Sequence, residues 1–136
     1  MEAEFAILIE ESRWRVTLSG DFTQEKASDF AEHVKTVLAD DGYPAQVFMD
    51  LRSLEGFSVF GRTFLVQVQE EWRTGGARTA YLSSRPRFRG LGLWVCHLAE
   101  DAFAGSFVNE EDVESWLSSN IEREDEAREK ICGGKR

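Results

Sequence analysis

One short apolar run, Val47-Phe48-Met49-Asp50-Leu51, constrains the fold of this chain more than any other stretch. The run is too short for a helix, and its apolar residues do not alternate with polar ones. Both properties are typical of a strand buried on both faces in a parallel sheet. Arg52 and Ser53 then predict a polar turn, and a helical pattern follows with apolar residues at every fourth position: Phe60, Phe64, Val68 and Trp72. In open α/β sheets, the junction between a buried strand and the next helix is where ligands and partners bind.

The rest of the chain predicts a mixed sheet around this strand. Residues 5–10 and 13–20 are strand patterns joined by a connection too short for a crossover, so they must pair antiparallel. Thr23 or Asp21 is the expected N-cap of the first helix, and Gly42 suits its C-terminal end. The remaining patterns predict helices at about 23–39, 60–73, 85–98 and 109–117, and strands at about 77–83 and 102–108. The order ββαβαβαβα indicates an α/β fold with a mixed, mostly parallel five-stranded sheet and helices packed against it.

The third predicted helix is apolar more than halfway round. Its expected inner face consists of Phe88, Leu91, Val95 and Leu98. Leu93 and Trp94 lie off this stripe, and an exposed apolar pair would mark an interface, for example with a second copy of the chain. The alternative is that the last helix covers them.

Composition indicates one domain followed by a charged tail. The chain has 136 residues, of which 42% are hydrophobic, so residues 1–119 are expected to form one packed domain. Residues 120–136 hold five acids and five bases and predict an exposed helical extension or a disordered tail.

The net charge of −9 argues against nonspecific nucleic-acid binding. No apolar run approaches the ~18 residues of a membrane span, and the start lacks the basic flank of a signal peptide. We therefore expect a cytoplasmic protein in which Cys96 and Cys132 are free thiols.

Residues suited to catalysis are sparse. His33 and His97 fall inside helical patterns, and Cys96 and His97 are adjacent on a helix, about 100° apart, so they do not form a dyad. The sequence contains none of the common metal-ligand, phosphate-loop or nucleophile motifs. Asp50 is interpreted as a strand-end carboxylate that accepts hydrogen bonds from the turn after it. We therefore expect a protein without enzymatic activity, cofactor or metal, unless Asp50 and His97 meet in an open cleft.

A basic stretch stands out in this acidic chain. Between Arg62 and Arg89 there are six arginines and two acids. Arg85, Arg87 and Arg89 cluster at the expected start of the third helix, where backbone N–H groups already favour anions. These arginines fit a contact with a phosphate or an acidic partner, but the pattern slightly favours an ordinary solvated helical face.

The sequence resembles the STAS domain family, which includes the bacterial anti-sigma-factor antagonists. The matching segments are Leu18-Ser19-Gly20-Asp21-Phe22, the strand end Asp50-Leu51, and Val113-Glu114-Ser115-Trp116-Leu117. Leu54-Glu55-Gly56-Phe57 is similar to the SpoIIAA-like subgroup. Antagonists of the switching type carry Asp-Ser-Ser-Gly at the start of the second helix and are phosphorylated on the second serine. Here the stretch is Ser58-Val59-Phe60-Gly61, so Phe60 takes the place of the phosphoacceptor.

The resemblance implies a regulatory module of the bacterial cytoplasm that binds a partner protein. The expected partner-binding residues lie in the loop and helix start after the central strand and at the start of the third helix: Gly56, Phe57, Ser58, Phe60, Gly61, Arg62, Arg85, Arg87 and Arg89. The SpoIIAA-like subgroup is similar in fold to the CRAL-TRIO lipid-transfer proteins. That similarity implies, as an alternative, a pocket for a small lipophilic ligand between the helices and the sheet, gated or lined by Phe57 and Phe60. Such a pocket, or a homodimer surface, would also use Phe64, Leu91, Leu93 and Trp94.

Overall fold

A computed structural model of the chain describes residues 4–119. The charged tail at 120–136 and the second cysteine, Cys132, lie outside the described residues. The strands are β1 (Glu4–Glu10), β2 (Arg13–Phe22), β3 (Gln46–Phe57), β4 (Arg78–Leu82) and β5 (Ala104–Phe107). The helices are α1 (Gln24–Asp41), α2 (Gly61–Thr74), α3 (Pro86–Leu98) and α4 (Glu110–Leu117). None of these helices is long and apolar enough to span a membrane.

The strands form one sheet in the order β1-β2-β3-β4-β5. β1 and β2 pair antiparallel, and β2 through β5 run parallel to one another. Met49 of the central strand β3 is opposite Val16 on one side and Tyr81 on the other. The element order and the mixed, mostly parallel sheet predicted from the sequence are therefore confirmed, and the Val47–Leu51 segment is the buried middle of the sheet.

Side chains alternate between the two faces of the sheet along each strand, and different helices cover these two faces. Trp14, Val16 and Leu18 of β2 point into the main core, which is closed by α1, α2 and α3. Phe48 and Leu82 point to the other face, where α4 covers them with its own buried residues. This second, smaller core is the reason why the short helix α4 is part of the fold.

Side chains fill the space between the sheet and the helices α1–α3. Trp14 and Trp72 meet edge to face with ring centroids 6.1 Å apart, and both are fully buried. Phe30 packs edge to face on Phe22 at 6.0 Å, and Tyr81 is buried beneath α2 and α3. Packing of this kind supplies the hydrophobic stabilisation of the domain.

A buried polar network joins α2 to β4 and to the loop before β5. Gln69 Nε2 donates to Thr79 Oγ1 at 3.1 Å and to Asp101 Oδ2 at 2.9 Å. The hydroxyl of Tyr81 donates to Gln69 Oε1 at 2.5 Å. Burial raises the pKa of Tyr81, so the hydroxyl keeps the proton that it donates. Gln69 thus occupies the inner face of α2 although its side chain is polar, a position that the apolar pattern does not predict.

Thr23 is the N-cap of α1 and Gly42 ends the helix, as predicted, although Gly42 is not in the expected αL conformation and α1 is two residues longer than expected. Thr23 Oγ1 accepts from the N–H of Lys26 at 3.2 Å. Gly42 has a φ of +80°, and its N–H donates to the carbonyl of Leu38, which ends α1 after Asp41.

The inner face of α3 differs from the prediction at its end, where Leu98 is exposed. The buried face includes Gly92 and Cys96 instead. A β-carbon at Gly92 would lie 2.7 Å from Ser106 Oγ and 2.9 Å from Tyr81 Cβ, so the glycine lets α3 approach the sheet closely. The close contact centres the buried face on Leu91, Gly92 and Val95 and leaves Leu98 at its margin.

Candidate functional site

The central strand β3 continues well past the predicted turn at Arg52 and Ser53 and ends at Phe57. It pairs with β4 only as far as Asp50, but with β2 as far as Phe57, through two register shifts. The expectation of a loop at Gly56 and Phe57 is therefore wrong, because both residues belong to the strand. The polar residues that suggested a turn lie on a strand segment that is paired on one side only.

Asp50 and Arg52 stabilise the start of the β3 extension, which is the part of β3 beyond Asp50 that pairs with β2 only. Asp50 Oδ1 accepts from the backbone N–H and the Nε of Arg52 at 3.0 and 2.9 Å, and Oδ2 accepts from Arg52 Nη2 at 2.8 Å. Burial alone would raise the pKa of Asp50, but the hydrogen bonds and charge of Arg52 outweigh it and hold that pKa below 3.8. Arg52 Nη2 also contacts Glu110 of α4 at 2.9 Å. Asp50 accepts hydrogen bonds from a residue after it, as interpreted from the sequence, but the strand-end position is wrong, because β3 continues to Phe57.

Arg85 forms hydrogen bonds with the edge of the β3 extension that no strand pairs with. Beyond Leu82 there is no β4 residue to accept or donate bonds, and Arg85 Nη2 donates instead to the carbonyls of Leu51, Arg52 and Leu54 at 3.4, 3.0 and 2.5 Å. The guanidinium also lies over the ring of Phe88 at 4.2 Å. Arg85 therefore joins the start of α3 to the extended end of β3, and its Nη2 group is already used within the protein.

Ser58 fixes the turn between β3 and α2. Its N–H donates to the carbonyl of Phe22 at 3.1 Å, and its Oγ accepts from the N–H of Gly61 at 2.7 Å. A β-carbon at Gly61 would lie 2.6 Å from Ser58 Oγ and 3.2 Å from the carbonyl of Thr23, so a side chain does not fit there. The turn is thus held at both ends. Val59 and Phe60 project from it.

Val59 and Phe60 are 61% and 69% exposed. The helix expected from Phe60 onward begins one residue later, at Gly61, and its buried face is formed by Gly61, Leu65, Val68, Gln69 and Trp72. Phe64 is only half-buried. Val59 was not predicted as a site residue. The sequence does indicate it, because Val59 and Phe60 are adjacent and a small residue lies on each side of the pair.

Two arginines flank this turn and stack on aromatic rings. The guanidinium carbon of Arg62 lies 4.0 Å from the ring centroid of Trp94, which is half-buried on α3. That of Arg87 lies 4.8 Å from the ring of Phe57, at the end of β3. We call Val59, Phe60, Arg62, Arg87 and Trp94 the docking surface; it combines exposed apolar area with positive charge.

The structure separates Arg89 from this surface. Arg89 lies two residues beyond Arg87, about 200° around the helix, and Ser106 Oγ from β5 donates to its carbonyl at 2.9 Å. Leu91 is buried in the main core, and Leu93 is 49% exposed on the outer side of α3. Of the arginines expected at the site, Arg62 and Arg87 are the ones that the fold places beside the Val59–Phe60 turn.

The described residues contain no group of three or more His, Cys, Asp or Glu side chains that could hold a metal ion. Cys96 is a buried free thiol, and burial raises its pKa to about 12, which makes it a poor nucleophile. The carboxylate of Asp50 is held by Arg52, and His97 is exposed in the last turn of α3.

Comparison with solved structures identifies the fold. The anti-sigma factor antagonist SpoIIAA in its unphosphorylated form shares 12% identity over 86% of this chain and 100% of that chain, with a TM-score of 0.64. An anti-sigma factor antagonist from Mycobacterium paratuberculosis shares 16% over 85% and 94%, with a TM-score of 0.63. A Shewanella loihica protein described as having a SpoIIAA-like fold shares 16% over 86% and 96%, with a TM-score of 0.64. No protein-family model matches the sequence, and no curated protein sequence matches it either. The chain therefore has the STAS-like α/β fold of SpoIIAA, as its sequence predicts.

Proposed function

We propose that this protein is a regulatory interaction module that binds a partner protein through the docking surface and catalyses no reaction. The observation that carries the proposal is the exposure of Val59 and Phe60 on a turn that Ser58 and Gly61 hold in place. A fixed turn that presents apolar side chains loses little entropy on binding. Neighbours of the same fold that are anti-sigma factor antagonists support a regulatory role.

Binding at this surface would not be switched by phosphorylation of the turn. Phe60 has no hydroxyl group, and the Oγ of the half-buried Ser58 is engaged by the N–H of Gly61. Burial of an aromatic side chain such as Phe60 contributes on the order of 1–2 kcal/mol of binding free energy. The module would then be active whenever it is present, and regulation would act through its amount or through its partner.

The setting we propose is the bacterial cytoplasm, as expected from the sequence and from neighbours such as those of Shewanella and Mycobacterium.

The carrier alternative has less support. Phe57 packs edge to face on Phe88 at 5.9 Å, Leu91 is in the core, and Trp94 lies beneath Arg62, so residues expected to line a pocket contact other side chains. A homodimer through Leu93 stays a prediction, to be tested by light scattering on the purified protein.

The test is capture of partners from a lysate of the source cells with Phe60→Asp as the key variant. We expect Phe60→Asp to lose a partner that the unchanged protein retains, with no loss of thermal stability, because Phe60 is exposed. Leu8→Asp is the matched control, since Leu8 is 55% exposed on the outermost strand β1, away from the surface. Equal capture by all three proteins would refute the proposed surface.

A further inference from the structure

The arginines that lie over aromatic rings fall into two groups. Arg15, Arg78 and Arg85 lie over rings and also bind within the protein: Arg15 approaches Glu110 at 3.7 Å, and the other two donate to backbone carbonyls. Arg62 and Arg87 lie over rings but make neither an ion pair nor a side-chain hydrogen bond with any residue in the range 4–119. These two belong to the docking surface.

Stacking prepares a guanidinium to bind a carboxylate. An aromatic face holds the planar group by its π-face, so N–H groups at the edge stay available for bidentate hydrogen bonds. In Arg62 these are the two Nη groups, because its Nε is buried. The surroundings add to this preference, because helix α3 contains no Asp or Glu while the chain as a whole has a net charge of −9. Two positive groups without internal partners are therefore concentrated beside the most exposed aromatic residue, Phe60.

We infer that the partner presents an acidic segment, with an apolar side chain that packs on Val59 and Phe60 and two carboxylates that bind Arg62 and Arg87. This inference rests on the proposed function and names the chemistry of its partner. Arg62 stacks on Trp94, which is seven residues after Arg87 on α3. At 1.5 Å per residue the two sites are about 10 Å apart along the helix. In a segment with the polyproline II conformation, which has three residues per turn and a rise of about 3.1 Å per residue, two carboxylates three residues apart lie on the same side at a similar spacing, about 9 Å.

The test uses the full chain and synthetic peptides as probes. The first peptide has ten residues with glutamate at its fourth and seventh positions and leucines between them. A second has the two glutamates adjacent, and a third has glutamine in their place. Binding is followed by NMR, through the Nε–H signals of Arg62 and Arg87 and the indole signal of Trp94.

We expect the first peptide to shift these signals and to bind at least threefold more tightly than the other two. Arg62→Gln and Arg87→Gln should each raise its Kd at least threefold. Arg73→Gln and Arg89→Gln are matched controls and should not change it, because neither arginine lies over a ring of the described residues.

Two outcomes would overturn the inference, and they are distinguishable. If none of the peptides binds, or the glutamine peptide binds equally well, while Phe60→Asp still abolishes partner capture, the acidic chemistry is wrong and the docking surface stands. If the glutamate peptide binds but Phe60→Asp, Arg62→Gln and Arg87→Gln leave its Kd unchanged, the docking surface itself is wrong.

Discussion

Replacing Gln69 by leucine should reveal how much stability the buried polar network contributes. Gln69→Leu keeps the side-chain volume nearly constant, so it removes hydrogen bonds without opening a large cavity. The hydroxyl of Tyr81 loses its acceptor, and the buried carboxylate of Asp101 and the buried hydroxyl of Thr79 each lose a donor. A buried polar group left unsatisfied costs about 1–3 kcal/mol. With three such groups, each near the lower end of that range, we expect the free energy of unfolding to fall by about 3–4 kcal/mol.

The assay is urea unfolding followed by tryptophan fluorescence and circular dichroism. With a denaturant slope of about 2 kcal/mol per molar, the midpoint should fall by about 1.5–2 M. Adding Tyr81→Phe to Gln69→Leu removes the orphaned hydroxyl and should recover about 1–2 kcal/mol, whereas Tyr81→Phe alone should destabilise the protein. A loss below about 1 kcal/mol for Gln69→Leu, or a double variant no more stable than the single one, would refute this account of the network.

Three further predictions concern α3 and the start of the β3 extension. Gly90→Ala should stabilise the protein by about 0.5–1 kcal/mol, because its β-carbon position is open, whereas Gly92→Ala should destabilise it by about 1–3 kcal/mol through steric contact; thermal unfolding measures both. The low pKa of Asp50 contributes stability that is present above its unfolded value of 3.8 and is lost as pH falls below it. Asp50→Asn should therefore flatten the decline of the urea midpoint in acid, and an unchanged decline would show that the titration of Asp50 does not cause it. Cys96, with a pKa of about 12, should resist iodoacetamide in the native protein and react in urea, as judged by mass spectrometry of a variant whose second cysteine is serine.

The fold could be predicted from the sequence because hydrophobic periodicity indicates its strands and helices. Val47–Leu51 is apolar on both faces, and β2 alternates regularly, so the middle of the sheet and its edge hairpin follow from pattern alone. The extension of β3 to Phe57 does not, since a strand segment paired on one side has polar residues like those of a turn. The carbonyls of this segment bind Arg85, a residue about 30 positions later in the chain, and no local pattern predicts such a contact.

The candidate site could be predicted in part. The position of Phe60 at the start of the second helix indicated a binding site, and the structure exposes it. The sequence did not distinguish the roles of Arg85, Arg87 and Arg89, because three arginines at alternate positions look alike until the helix is oriented. Orientation depends on tertiary packing, here the close approach of Gly92 to the sheet.

The position of α4 has a consequence for how the protein is made. A ribosome delivers β3, β4 and β5 before it delivers the eight residues of α4, so Phe48 and Leu82 remain open to water until Leu117 has emerged. During that interval the nascent chain exposes an apolar patch on the face of the sheet that α4 later covers, and such a patch is a target for a chaperone. Synthesis that pauses just before α4 would prolong this vulnerable stage.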